Sequence, residues 1–261
     1  VKALLNIVGI LTMLVSAAQA APLKAPPRLY RVEGHPVPVS CLEALAGQED
    51  DSRKAPIDLH HCGDPKLKPK TQADGSVGYD DPQGGYFYYR YVGNADGIDV
   101  LLLQNSGGGS GHFTQLVGVK QDGHLVRWVR DYAAGDRCNG GVSDEKVSNG
   151  NLTFDQAITP YDLVDLAQPK TMLEAYKDLE ASAASCIGVS HMAGDDKHWT
   201  GVSLTEKDWA DQTGWTDKYR YQACFNKLYR ETISGGHDDL DRLGVIAFAQ
   251  SFAKRCVQSR F

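Results

Sequence analysis

The sequence predicts an α+β protein: an antiparallel sheet in meander order, followed by a mostly helical C-terminal part, held together by disulfides. Three observations predict it. Apolar and polar residues alternate in strand-like runs from 85 to 158. Beyond 159 the apolar spacing becomes three to four residues. Six cysteines, an even number, lie downstream of a segment that reads as an export signal.

Residues 1–20 form that signal. Lys2 precedes an apolar stretch too short and too interrupted by Asn6, Gly9 and Thr12 to span a bilayer. Ala18 and Ala20 give the small-x-small pattern of a cleavage site after Ala20. No cysteine adjoins that site, so the expected product is a periplasmic or secreted protein with no membrane insertion. The chain ends in Phe261, but the segment before it reads as a helix, which argues against an outer-membrane barrel.

Residues 21–84 form a Pro- and charge-rich lead-in and loop. Pro22, Pro26, Pro27, Pro36 and Pro38 favour extended chain. A short helix is expected over 40–46, with Ser40 as N-cap and Glu43 three residues on. The polar stretch 47–76 needs an anchor, which a Cys41–Cys62 bridge supplies.

The sheet region covers 85–158. Strands are expected at 86–92, 98–104, 112–120 and 124–132, joined by the turns Asn94-Ala95-Asp96-Gly97 and Gln121-Asp122-Gly123 and by a glycine-rich loop at 106–111. A further hairpin is expected around Asn149-Gly150-Asn151.

The region 159–261 is read as helical and packed on the sheet as one unit. Thr159-Pro160 opens a helix, with Asp162 in its first turn. A second helix is expected over 171–186, with Met172, Tyr176, Leu179, Ala183 and Cys186 on one face. Residues 187–192 and 199–204 pair as a hairpin. Two final helices carry Phe225, Leu228 and Tyr229 on the first and Val245, Phe248 and Phe252 on the second. Gly235-Gly236 ends the first and Asp238 caps the second. Antiparallel packing of these two brings Cys224 to Cys256. By elimination Cys138 pairs with Cys186.

The net charge is −6, and becomes −7 if Lys2 leaves with the signal. An acidic chain without a basic cluster argues against nucleic acid. It favours a basic partner, such as a cell-wall hydrolase, and so an inhibitor or immunity role without catalysis. No cofactor motif is present. Two segments carry candidate chemistry. Asn105-Ser106-Gly107-Gly108-Gly109-Ser110-Gly111-His112 presents Ser106, Gly108, Ser110 and His112 on a loop. It lacks the G-x-S-x-G elbow and the G-x-x-x-x-G-K-S/T phosphate loop. Gly135-Asp136-Arg137-Cys138-Asn139-Gly140-Gly141 offers Asp136, Arg137 and Asn139 to a ligand or partner. The catalytic alternative is a hydrolase using His112 with Ser106 or Ser110, or with Asp136. A third reading is a small-ligand module using the same loops. In an oxidising compartment Cys138 is read as an anchor rather than a nucleophile. Weaker candidates are a metal at His60-His61-Cys62 or at His191, Asp195, Asp196 and His198, and a stacking patch of Trp199, Trp209 and Trp215. Asn151-Leu152-Thr153 matches a glycosylation sequon.

Overall fold

A computed structural model describes residues 26–47, 55–167, 173–205 and 218–258. The leader, Trp209, Trp215 and Phe261 lie outside the described residues.

The chain enters through a two-residue ladder, β1 (Arg31–Val32) with β2 (His35–Pro36), and then α1 (Val39–Ala46). Ser40 is inside this helix, not its cap; Pro38 stands at the N-cap. Proline's fixed φ suits a helix start, and the Ser40 hydroxyl is engaged elsewhere. It donates to the Cys62 carbonyl (3.2 Å) and accepts from the Asp64 N–H (3.0 Å). With the Cys41–Cys62 disulfide, this fastens the loop to the helix.

Two short strands then reach opposite edges of one large sheet, β3 (Ile57–Asp58) and β4 (Lys70–Thr71). The remaining strands of that sheet are β5 (Val77–Asp80), β6 (Tyr86–Ala95), β7 (Ile98–Ser106), β8 (Phe113–Asp122) and β9 (Leu125–Asp136). The order is β3-β9-β8-β7-β6-β5-β4, so β5 to β9 form the expected meander. Alternation assigns each face. Phe87, Tyr89, Leu101, Leu103, Val117 and Val119 point to α1 and the N-terminal segment. Val100, Leu102, Leu116 and Tyr132 point to the other side and a second core.

That second core joins into one sheet two hairpins that the sequence predicts separately, with one short strand added. β10 (Val142–Ser148) and β11 (Asn151–Ile158) form the expected hairpin, but it leaves the meander. They join β12 (Gly188–Ala193), β13 (Trp199–Leu204) and β14 (Asp239–Asp241) in a five-stranded sheet. The C-terminal part is therefore mixed rather than mostly helical. Phe154, Met192, Val202 and Leu240 share one cluster with three helices: α2 (Pro160–Ala167), α3 (Gln222–Ser234) and α4 (Arg242–Phe252). Each large side chain buried there contributes about 1.5–3 kcal/mol. Thr159 Oγ1 and Asp162 bond across the start of α2. The cap of α4 is Asp241, not Asp238, and accepts from the Gly244 N–H at 2.8 Å. Asp238 instead gives its carbonyl to the Leu204 N–H, next to the ladder of β13 with β14.

The helix expected over 171–186 does not form in its described part, from 173. A single turn closes from the Asp178 N–H to the Glu174 carbonyl, and side chains there bond the local backbone instead of letting it continue. Asp178 accepts from the Glu174 N–H (3.0 Å) and Glu180 from the Ser182 N–H (2.9 Å). Tyr176 has φ 62°. The buried Gln222 amide draws the Glu180 N–H to α3 at 2.8 Å.

The disulfides are Cys41–Cys62, Cys138–Cys186 and Cys224–Cys256. The second ties the end of the large sheet to the irregular segment, and the third ties α3 to the turn that continues α4. No helix among the described residues is long and apolar enough to cross a membrane.

Candidate functional site

In a meander, alternate connections fall at the same end of the sheet. The β7–β8 loop and the turn after β9 therefore lie together. The structure adds a bond that joins them: the His112 N–H donates to Asp136 Oδ1 at 2.9 Å. Arg137 Nε donates to the same oxygen at 2.9 Å. The Arg137 guanidinium holds the Asp136 carboxyl below its usual range against the opposing effect of burial, with help from the His112 N–H.

The turn is shaped by its glycines. A Cβ on Gly135 would lie 2.1 Å from the Gly140 carbonyl carbon, and one on Gly141 would lie 2.2 Å from the Arg137 oxygen. Backbone crosses backbone here at a distance only glycine permits. Gly140 and Arg137 both have positive φ. The bridge from the buried Cys138 to the exposed Cys186 fixes the turn, so Cys138 is no free thiol.

Asn139 faces away from His112. Its Nδ2 donates to Tyr176 Oη and to the Ala181 carbonyl, both at 3.2 Å, holding the irregular segment. Ser106 is buried, and its hydroxyl accepts from the Gly108 N–H at 3.3 Å. Ser110 is exposed. The His112 ring instead meets Tyr86: Nδ1 lies 3.1 Å from Tyr86 Oη, and the rings are near parallel at 5.9 Å. Among the described residues neither serine hydroxyl bonds His112. The site thus joins His112, Asp136 and Arg137, and leaves Ser106, Ser110 and Asn139 apart.

Beside this group lies a cleft of about 670 Å³. Its floor is the face of the large sheet that turns from α1, and register explains who stands there. Tyr88 pairs with Gln104 and Gln104 with Thr114, so these three share a face with Tyr86 and His112. One wall is the turn at Asp74 with Asp80, and the other is the start of β10 at Val142 and Ser143. Thr114 Oγ1 accepts from the Val142 N–H at 2.7 Å and so joins the two sheets at the floor. Asp80 holds Tyr88 Oη at 2.7 Å and Lys70 Nζ at 2.8 Å. These bonds lower the Asp80 carboxyl. Burial, then Asp80, pushes the Tyr88 phenol up to about 12. Arg90 bridges Asp74 and the buried Glu145 of β10, tying both walls together.

Sequence reasoning passed over Tyr86, Tyr88, Gln104 and Thr114. A signal was present. Gln104 and Thr114 continue the inward series of Val100, Leu102 and Leu116, so polar groups occupy core-facing positions at one end of the sheet.

The weaker candidates resolve differently. Cys62 is in a disulfide, which removes it as a metal ligand. His198 bonds Asp195 at 2.6 Å, whereas His191 turns to Asp155 and Ser203, both at 2.8 Å. Among the described residues no group of three His, Cys, Asp or Glu side chains converges to hold a metal. Ser203 also donates to Asp239 at 2.5 Å, giving a row Asp155–His191–Ser203–Asp239 across four strands. It resembles a nucleophile–base pair. But the strands that carry it, β11 to β14, spend backbone N–H groups on their ladders, and Asp239 takes the serine proton. Trp199 is buried under Arg242, 5.0 Å from its ring. It also borders a second cleft of about 520 Å³ with Asp162 and Asp165. Burial raises both carboxyls, opposed at Asp162 by its bonds to Thr159.

These features define an α+β protein of two large antiparallel sheets with a cleft between them. Compared with family models, with curated proteins and with solved structures, the chain matches none.

Proposed function

We propose that this is an exported, non-catalytic binding protein whose ligand site is the cleft floored by Tyr86, Tyr88, Gln104, His112 and Thr114. The observation that carries the reading is that cleft. Its volume suits a small ligand, and aromatic carbon alternates with polar groups along its floor. The His112 ring bonds Tyr86 and its N–H bonds Asp136, and neither Ser106 nor Ser110 meets it, which weakens the serine-hydrolase alternative. Export accords with three disulfides, which persist in oxidising compartments. The negative charge leaves a basic protein partner, such as a cell-wall hydrolase, as the second reading.

The test uses chain purified from its host compartment without denaturation. Native mass spectrometry should find a small molecule retained, or regained from a host small-molecule extract, and lost in Ser143→Trp, which fills the cleft wall. No retained mass, together with extract-induced NMR shifts away from the cleft, would remove the reading.

A further inference from the structure

From the pairing of charges around this cleft, we infer that its ligand is a neutral saccharide, a short oligosaccharide in bulk. The inference rests on the cleft being the binding site, and adds the chemistry of what it holds.

Every formal charge in the lining is already answered from within the chain. Asp74 pairs with Arg90, Asp80 with Lys70 at 2.8 Å, and Arg137 with Asp136 at 2.9 Å. An anionic ligand needs an unopposed cation, and an amine needs an unopposed carboxylate. Either would have to compete with an existing pair rather than meet a bare charge. Neutral groups, by contrast, stand open. Among the described residues the Gln104 amide, the Ser143 hydroxyl and His112 Nε2 have no hydrogen-bond partner. An amide both donates and accepts, as a hydroxyl does, so Gln104 matches ligand hydroxyls in either sense.

The apolar part of the lining points the same way. Tyr86 stands half-buried at the cleft, its ring centroid 5.9 Å from the buried, tilted ring of Tyr88 and 5.9 Å from His112, which stacks near parallel to it. A pyranose offers C–H groups to such rings while its hydroxyls reach polar neighbours. An extended peptide is less well served. The floor strands β5 to β8 are each paired on both sides, so no open edge there accepts strand addition. The first N–H of β10, at Val142, is taken by Thr114.

The experiment is an NMR titration of the full chain with chitotriose, maltotriose and cellotriose, followed by a wider array of neutral glycans. Inorganic phosphate, spermidine and a proline-rich peptide are run in parallel. At least one neutral glycan should shift the Gln104 side-chain amide and the backbone amides of Tyr86, His112 and Thr114. Gln104→Ala and Tyr86→Ala should each weaken it about tenfold with the melting temperature held. Gln104→Glu, which adds an unanswered charge, should weaken it as well. If phosphate, spermidine or peptide alone shifts these residues, the cleft still binds but the saccharide assignment fails. If a glycan shifts only residues elsewhere, the assignment also fails. If nothing on any arm shifts the cleft, the assignment and the binding reading fall together.

Discussion

Two glycine-rich segments sit side by side at one end of the large sheet, and they are glycine-rich for different reasons. In the 135–141 turn, Gly135 and Gly141 are places where backbone passes within about 2 Å of a would-be Cβ. In the 106–111 loop, Gly107 and Gly109 would project a Cβ into open space. Gly108 has φ +86°, and a Cβ on Gly111 would meet the Phe113 ring at 2.7 Å. The first segment is a packed joint, stapled by Cys138–Cys186 and holding Arg137 at the cleft rim. The second is a connection whose main polar contribution is one N–H from His112 to Asp136. Glycine content alone does not distinguish a binding loop from a joint.

The comparison can be broken from either side. The largest effect belongs to the staple. Replacing Cys138 and Cys186 together by alanine opens a loop of sequence separation 48 and should lower stability by about 4 kcal/mol in denaturant unfolding. Gly135→Ala should cost about 3 kcal/mol or more, because the obstacle is backbone and cannot swing aside. Gly107→Ala and Gly109→Ala should each change stability by less than about 1 kcal/mol. Equal losses at Gly135 and Gly109 would dissolve the distinction between the two segments.

The smallest effects are electrostatic, and they have opposite signs. The Asp136 carboxyl is lowered in the fold. Its contribution is therefore present above the ordinary aspartate value and fades as pH falls through the folded value. Asp136→Asn should flatten the acid limb of a stability–pH curve, and its exposure keeps the change small. The Asp165 carboxyl is raised by burial. Its protonated form favours the fold at low pH, and that advantage is lost as pH rises through the folded value. Asp165→Asn should raise the melting temperature at pH 7 and leave it unchanged near pH 3. A rise at both would show that the charge is not the cause.

Much of the large sheet was legible because its strands are apolar on one or both faces, and its turns carry the residues that positive φ demands, as at Asp96-Gly97. The second sheet was legible only as two separate hairpins, not as one sheet. Its members come from 142–158, 188–204 and 239–241, and β14 is three residues long. Nothing local in Asp239-Leu240-Asp241 announces a strand; the pairing with β13 makes it one. The irregular 173–187 segment has helical spacing, but Asp178, Glu180 and Gln222 outbid that pattern with bonds to the backbone. The candidate site was half visible. His112, Asp136 and Arg137 stood out by type and by their glycine setting. Tyr86, Gln104 and Thr114 converge only through strand register, which binds residues far apart in sequence.

The central claim is that the ligand meets the cleft floor rather than the glycine loop. The most direct measurement is the NMR spectrum of the Gln104 side-chain amide and of the amides at 106–111, recorded as host small-molecule extract is added. The account predicts that Gln104 and Thr114 shift together and in proportion, with smaller changes at Gly107 and Gly109. Shifts confined to 106–111, with Gln104 and Thr114 unmoved, would contradict it.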